Sequence, residues 1–250
     1  MRNITETVKQ LLIINVLFFI GTFIVGDAAY RYLAMFFPEN ADFYGWQIIS
    51  HMFMHGGFMH IFFNMFALYS FGTTLEHFWG GKKFLFFYIS CGLGAVLVQT
   101  GVNYYYFNDA ISILGEHGFQ KAEIVQLLNE GKINTQWQTI LTPSEYQKFI
   151  GAFVGTMVGA SGAIYGLLVA FAFMFPDAEL GIMFIPVPVK AKYFVPVYML
   201  LFDGFFGIFG GSLMGIDSGI AHFAHLGGAL FGFLIMWYWK KTQFNNNRWN

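Results

Sequence analysis

Apolar residues fall in six long runs, near residues 10–26, 58–78, 84–103, 153–175, 193–211 and 220–239. Each is long enough to cross the ~30 Å hydrocarbon of a bilayer as a helix. The pattern predicts an all-α polytopic membrane protein, a six-transmembrane-helix bundle forming one domain over residues 1–250. The first run has features of a signal peptide, with Arg2 and Lys9 ahead of it and Gly26-Asp27-Ala28 behind. Asp27 is a poor neighbour for a cleavage site, so the expectation is an uncleaved anchor.

The stretches between runs carry their own signals. Residues 27–57 hold Phe36-Phe37-Pro38, Tyr44 and Trp46 and are apolar enough to lie in the membrane interface. Residues 104–150 are the most polar part of the chain and read as an insert between the third and fourth spans. Within it, 119–129 has the spacing of a short amphipathic helix, and Thr142-Pro143-Ser144-Glu145 reads as a capping box. Residues 176–192, with Pro176, Pro186 and Pro188, read as a loop, and 240–250 as a flexible tail.

Composition strengthens this picture. Of 250 residues, 56% are hydrophobic and only 11% charged, where soluble domains carry about a quarter. The net charge is −1 and no basic patch with interleaved aromatics occurs, so nucleic acid is not an expected partner. Lys82, Lys83, Lys190, Lys192, Lys240 and Lys241 all fall on the side of the N-terminus, which the positive-inside rule places inside together with the C-terminus. The second, fourth and sixth spans then begin at the outer face. Cys91, the single cysteine, reads as a small buried hydrophobe.

Chemistry gathers at those outer ends. His60 and Asn64, at i and i+4, share one face early in the second span. Ser161 is expected about two turns into the fourth span, and His225 about one turn into the sixth. Polar groups at membrane depth are functional candidates by default. The types suit acyl transfer, with Ser161 as nucleophile and His225 as general base and then acid. Asn64, His60 and the Ser161 backbone N–H are candidate oxyanion donors. Tyr165, one turn after Ser161, is placed to pack its ring on His225. No carboxylate is near His225 in sequence, so the expectation is a dyad. No metal or cofactor is expected.

Three stretches together resemble the rhomboid intramembrane serine proteases. Gly159-Ala160-Ser161-Gly162-Ala163-Ile164-Tyr165 is similar to the family's Gly-x-Ser-Gly-x-x-Tyr motif. His55, His60 and Asn64 are similar to its His-x4-His-x3-Asn motif, with Glu76 matching an acidic residue near the inner end of that helix. Ala224-His225-Leu226-Gly227-Gly228 through Gly232 is similar to its Ala-His-x-x-Gly-x-x-x-Gly helix. The resemblance implies a rhomboid-like bundle that cleaves transmembrane protein substrates near their outer ends. It also implies a gating role for the fifth span and for the cap loop before the sixth. Two departures stand out: Trp46-Gln47 where many relatives have Trp-Arg, and the long insert, which either restricts access or contacts substrates.

Blander and rival readings accompany these. Gly228 and Gly232 read as structural, letting the sixth span approach a small face of Gly155, Gly159, Gly162 and Gly166 on the fourth. His222 reads as a neighbour of the base, His51 and His55 as loop scaffolding, and Asp203 as a structural hydrogen-bonding group. A zinc protease built on His51, His55, His222 and His225 lacks the glutamate of His-Glu-x-x-His. A non-catalytic, client-binding relative is the main alternative. A transporter is disfavoured, because no inverted repeat or paired broken helix is visible. With no targeting extension apparent, the expected location is a bacterial cytoplasmic membrane.

Overall fold

The computed structural model describes residues 3–182, 185–201, 203–204 and 222–242. The first apolar run coils from Glu6 to Val25 (α1). A helix start leaves several N–H groups without partners, and here a distant side chain supplies them. The Glu76 carboxylate accepts from Thr7 N at 2.9 Å, Val8 N at 2.8 Å and Thr5 Oγ1 at 2.6 Å. Val8 and Leu11 are buried with Leu68, Leu75 and Phe84 in the main core. Gly26, at φ 68°, turns the chain into α2 (Asp27–Leu33).

One side chain makes four of the hydrogen bonds within the segment 27–57. Gln47 opens α3 (Gln47–Ser50) and is fully buried. Its Oε1 accepts from Phe36 N and Tyr44 N, and its Nε2 donates to Arg31 O and Asp42 O. Four loop backbone groups are thereby satisfied without water. An arginine, which has only donors, could not serve both amides and carbonyls.

The second run is continuous, as α4 (Phe58–Ala67), a π turn over Leu68–Gly72, and α5 (Thr73–Trp79). After Gly80, at φ 75°, the chain enters α6, Gly81–Glu116. The predicted third span ends near 103, yet the helix continues for another three turns. At 1.5 Å per residue it is ~54 Å long, well beyond the bilayer core. Its last third is the spine of the segment 104–150. Onto it pack α7 (Lys121–Asn129), α8 (Trp137–Ile140) and α9 (Pro143–Val154). Phe107, Trp137, Phe149 and Phe153 form a separate apolar core there, joined by Phe37 from the segment 27–57. The capping box at Thr142 and Glu145 is present.

Three expectations are corrected. The fourth run is not one helix over 153–175. Residues 155–160 are non-helical, Met157 pairs with Met35 as an antiparallel bridge, and α10 runs from Ser161 to Met174. Hydropathy cannot tell an extended apolar stretch from a helical one. Gly155 and Gly159 therefore lie outside the helix and cannot share its small face. The loop 176–192 contains an antiparallel hairpin, β1 (Glu179–Ile182) and β2 (Ile185–Lys190). Prolines are tolerated there because a two-stranded sheet has only edges. Finally, residues 240–242 belong to the last helix rather than to a tail.

The chain continues in α11 (Ala191–Tyr198) and α12 (His222–Thr242). Residues 202 and 205–211 of the predicted fifth span, the cap loop before the sixth, and residues 243–250 lie outside the described residues. Among the described residues, α1 and α6 are long and apolar enough to cross a membrane. α10 and α12 meet backbone to backbone. A Cβ on Gly228 would be driven into the Gly162 carbonyl, and one on Gly232 would sit 2.7 Å from Gly166 Cα. Only glycine permits that approach.

Candidate active site

The seam between α10 and α12 sets Ser161 against His225. Ser161 Oγ and His225 Nε2 are 2.8 Å apart. Ser161 is the first helical residue of α10, not two turns in. This position changes its chemistry. Inside a helix its N–H would be bonded to the previous turn; here it is among the leading N–H groups that have no intrahelical partner. Those groups, and the positive end of a 14-residue helix, suit a developing oxyanion.

Gly159 makes room for the approach. Its φ of +119° is a conformation that favours glycine, and its N–H donates to His51 O at 2.9 Å. A Cβ there would lie 2.8 Å from His60 Nε2 and 3.6 Å from Ser161 Oγ. His60 Nε2 and Ser161 Oγ thus both border Gly159. The tautomer follows from the other ring nitrogen: Gly56 N donates to His60 Nδ1 at 3.3 Å. In neutral His60 the proton is then on Nε2, which makes this nitrogen a donor.

Asn64 is buried, and its Nδ2 donates to His60 O at 2.8 Å. One of its two amide hydrogens is not used by that bond. Tyr165 stacks on the His225 ring, with centroids 4.2 Å apart and planes at 13°. A cavity of about 800 Å³ is lined by Ser161, His225, His60 and Asn64, together with Thr156 and Val158. All five residues singled out in the sequence therefore meet at one place.

A sixth residue, read from the sequence only as a structural hydrogen-bonding group, also reaches the histidine. Asp203 Oδ1 lies 2.8 Å from His225 Nδ1 and also 2.8 Å from His222 Nδ1. The expected pair of Ser161 and His225 thus has a carboxylate beside its imidazole in the folded chain, although none is near it in sequence. Its only sequence signal was an acidic residue within an apolar run. Among the described residues, Asp203, His222 and His225 also form the one cluster whose ligating atoms, all within 4.8 Å of one another, could hold a metal ion. A metal there would take the Nδ1 positions of both histidines. His51 and His55 are not in that cluster, so the four-histidine zinc arrangement is not assembled.

His51 and His55 are nonetheless buried beside the site, at 2% and 1% exposure. Burial holds both imidazoles neutral, pushed down to about 4. For His51, a hydrogen bond between Nδ1 and Gln47 O offsets part of this; for His55, nearby His60 adds to it. The folded state therefore binds fewer protons than the unfolded state between about pH 4 and the ordinary value of 6.5. Their contribution to stability is complete above pH 6.5 and is lost as the pH falls towards 4, by roughly 3 kcal/mol per histidine. Thermal midpoints in detergent should fall over this window, and His55→Phe should flatten the fall. A midpoint unchanged between pH 7 and pH 4.5 would contradict this assignment.

Comparisons with known proteins meet this geometry. The Rhomboid domain model matches residues 42–242, a range that contains every residue of the site. The chain is also 28% identical over 202 residues to Rhomboid protein 1, mitochondrial, of Saccharomyces cerevisiae. That alignment covers 78% of this chain and 42% of the yeast protein, so the chain spans less than half of that relative's length. A mitochondrial relative does not bear out the expectation of a bacterial membrane. With its motifs aligned inside the matched range and meeting in one cavity, the chain belongs to the rhomboid family of integral membrane proteins.

Proposed function

We propose that the chain is an intramembrane serine endopeptidase of six spans with both termini inside, cleaving transmembrane protein substrates near the outer face. The observation that carries this is the 2.8 Å contact between Ser161 Oγ and His225 Nε2 at the start of α10. In this reading Ser161 Oγ attacks the scissile carbonyl carbon while its proton passes to His225 Nε2. The resulting oxyanion is met by the Ser161 N–H, His60 Nε2–H and Asn64, donors already in place before reaction. His225 then gives its proton to the leaving amine. Water from the cavity hydrolyses the acyl-enzyme with His225 again as base. Tyr165 keeps the imidazole from rotating. The insert is read as an outer-side addition to a single membrane domain, with α1 retained as part of the bundle.

A fluorophosphonate probe tests this directly on purified protein in detergent. The expected result is one label on Ser161, lost in His225→Ala and unchanged by a chelator. Chelator-sensitive cleavage would shift attention to Asp203, His222 and His225 as metal ligands. Neither labelling nor cleavage across a panel of transmembrane substrates would favour a client-binding role.

A further inference from the structure

Asp203 lies within the predicted fifth span, and its side chain is only 2% exposed. Two histidines one turn apart on α12 reach it, both through Nδ1 and both onto Oδ1. A carboxylate oxygen accepts, so each Nδ1 carries the hydrogen. For neutral His225 this settles the tautomer, with the lone pair on Nε2 facing Ser161. Oδ2 is buried with no hydrogen-bond partner among the described residues, although the Tyr165 hydroxyl interacts with the same carboxylate.

We infer that Asp203 is a positioning residue for the serine–histidine pair: it fixes His225 with Nδ1–H inward and Nε2 aimed at Ser161, and His222 anchors it there. This rests on the protease reading above and deepens it. The energetic logic is differential. A carboxylate at membrane depth is costly unless its charge is balanced. When the Ser161 proton moves to His225 Nε2, the imidazolium places a counter-charge directly against Asp203. The Nδ1 proton stays where it is, and no proton goes to Asp203. The interaction is thus stronger in the transition state than in the ground state, which is the condition for acceleration. His222 donates a second bond to the same oxygen, so the carboxylate does not depend on His225 alone for its orientation.

The test compares wild type, Asp203→Ala and Asp203→Asn, with Ser161→Ala as the inactive reference. Two readouts are taken on each: cleavage kinetics, and the ring N–H signals of 15N-histidine-labelled protein. Asp203→Ala should lower kcat by roughly 10²–10⁴, the range of a lost general base, with KM within about twofold because no substrate contact is removed. Asp203→Asn keeps an acceptor without the charge and should fall between Ala and wild type. The His225 Nδ1–H signal should be present in wild type and in Ser161→Ala, weakened in Asp203→Asn and absent in Asp203→Ala. Wild-type kcat together with a retained Nδ1–H signal in Asp203→Ala would overturn the inference while leaving the protease reading intact. A wild type that neither cleaves nor labels would instead overturn the protease reading, and the histidine spectra would still decide whether Asp203 sets the tautomer.

Discussion

Ser161→Ala and His225→Ala are each expected to lower kcat/KM for a transmembrane substrate by roughly 10⁴–10⁶, and combining them is expected to lower it no further. The reason lies in the single 2.8 Å contact between Oγ and Nε2. A serine hydroxyl without a base is a weak nucleophile, and an imidazole without the hydroxyl has nothing to activate. Each half removes the whole, so the losses cannot multiply. What remains in all three variants is the residual effect of binding and of the oxyanion donors. Purified proteins in detergent, assayed on one substrate, provide the comparison. A double variant slower than either single by the product of their losses would mean that the two groups act independently. Cleavage at the wild-type rate by Ser161→Ala would end the serine mechanism altogether.

The largest structural effect is expected at Gly228. A Cβ there meets not a side chain but the carbonyl of Gly162, one residue after the nucleophile. Backbone cannot rotate out of the way, so α10 and α12 must separate. Overpacking in cores typically costs about 1–3 kcal/mol, and more when backbone has to move. The same displacement should open the contact between Ser161 and His225, and a shift of ~1 Å at reacting atoms can cost ~10² in rate. Gly228→Ala should therefore lower both the thermal midpoint and kcat, and Gly228→Val should prevent the bundle from forming. Gly181→Ala is the matched control, since nothing lies within 4 Å of a Cβ at that position. If Gly228→Ala kept the wild-type midpoint and rate, the close helix crossing would be wrong.

Much of this site was legible in the chain. The i, i+4 pairs His60/Asn64 and Ser161/Tyr165 follow from helical periodicity, which needs no tertiary information. Gly228 and Gly232 announced a close crossing for the same reason, and Thr142 with Glu145 announced a helix start. The first residue of α10 was hidden. Residues 153–160 are as apolar as those that follow. What makes 155–160 non-helical is pairing of Met157 with Met35, the bond from Gly159 N to His51 O, and the φ of Gly159.

By itself, then, the sequence determined the residue types of the chemistry, their helical faces and the glycines that let two helices touch, because each depends on neighbours within one or two turns. Only the tertiary structure decided where Ser161 sits on its helix, and hence that its N–H is free for an oxyanion. Contacts between distant segments also bring Asp203 to His225, 22 residues away, and make Gln47 the hub of the segment 27–57. Those are properties of packed backbone, and a one-dimensional pattern of polar and apolar positions carries no distance between segments.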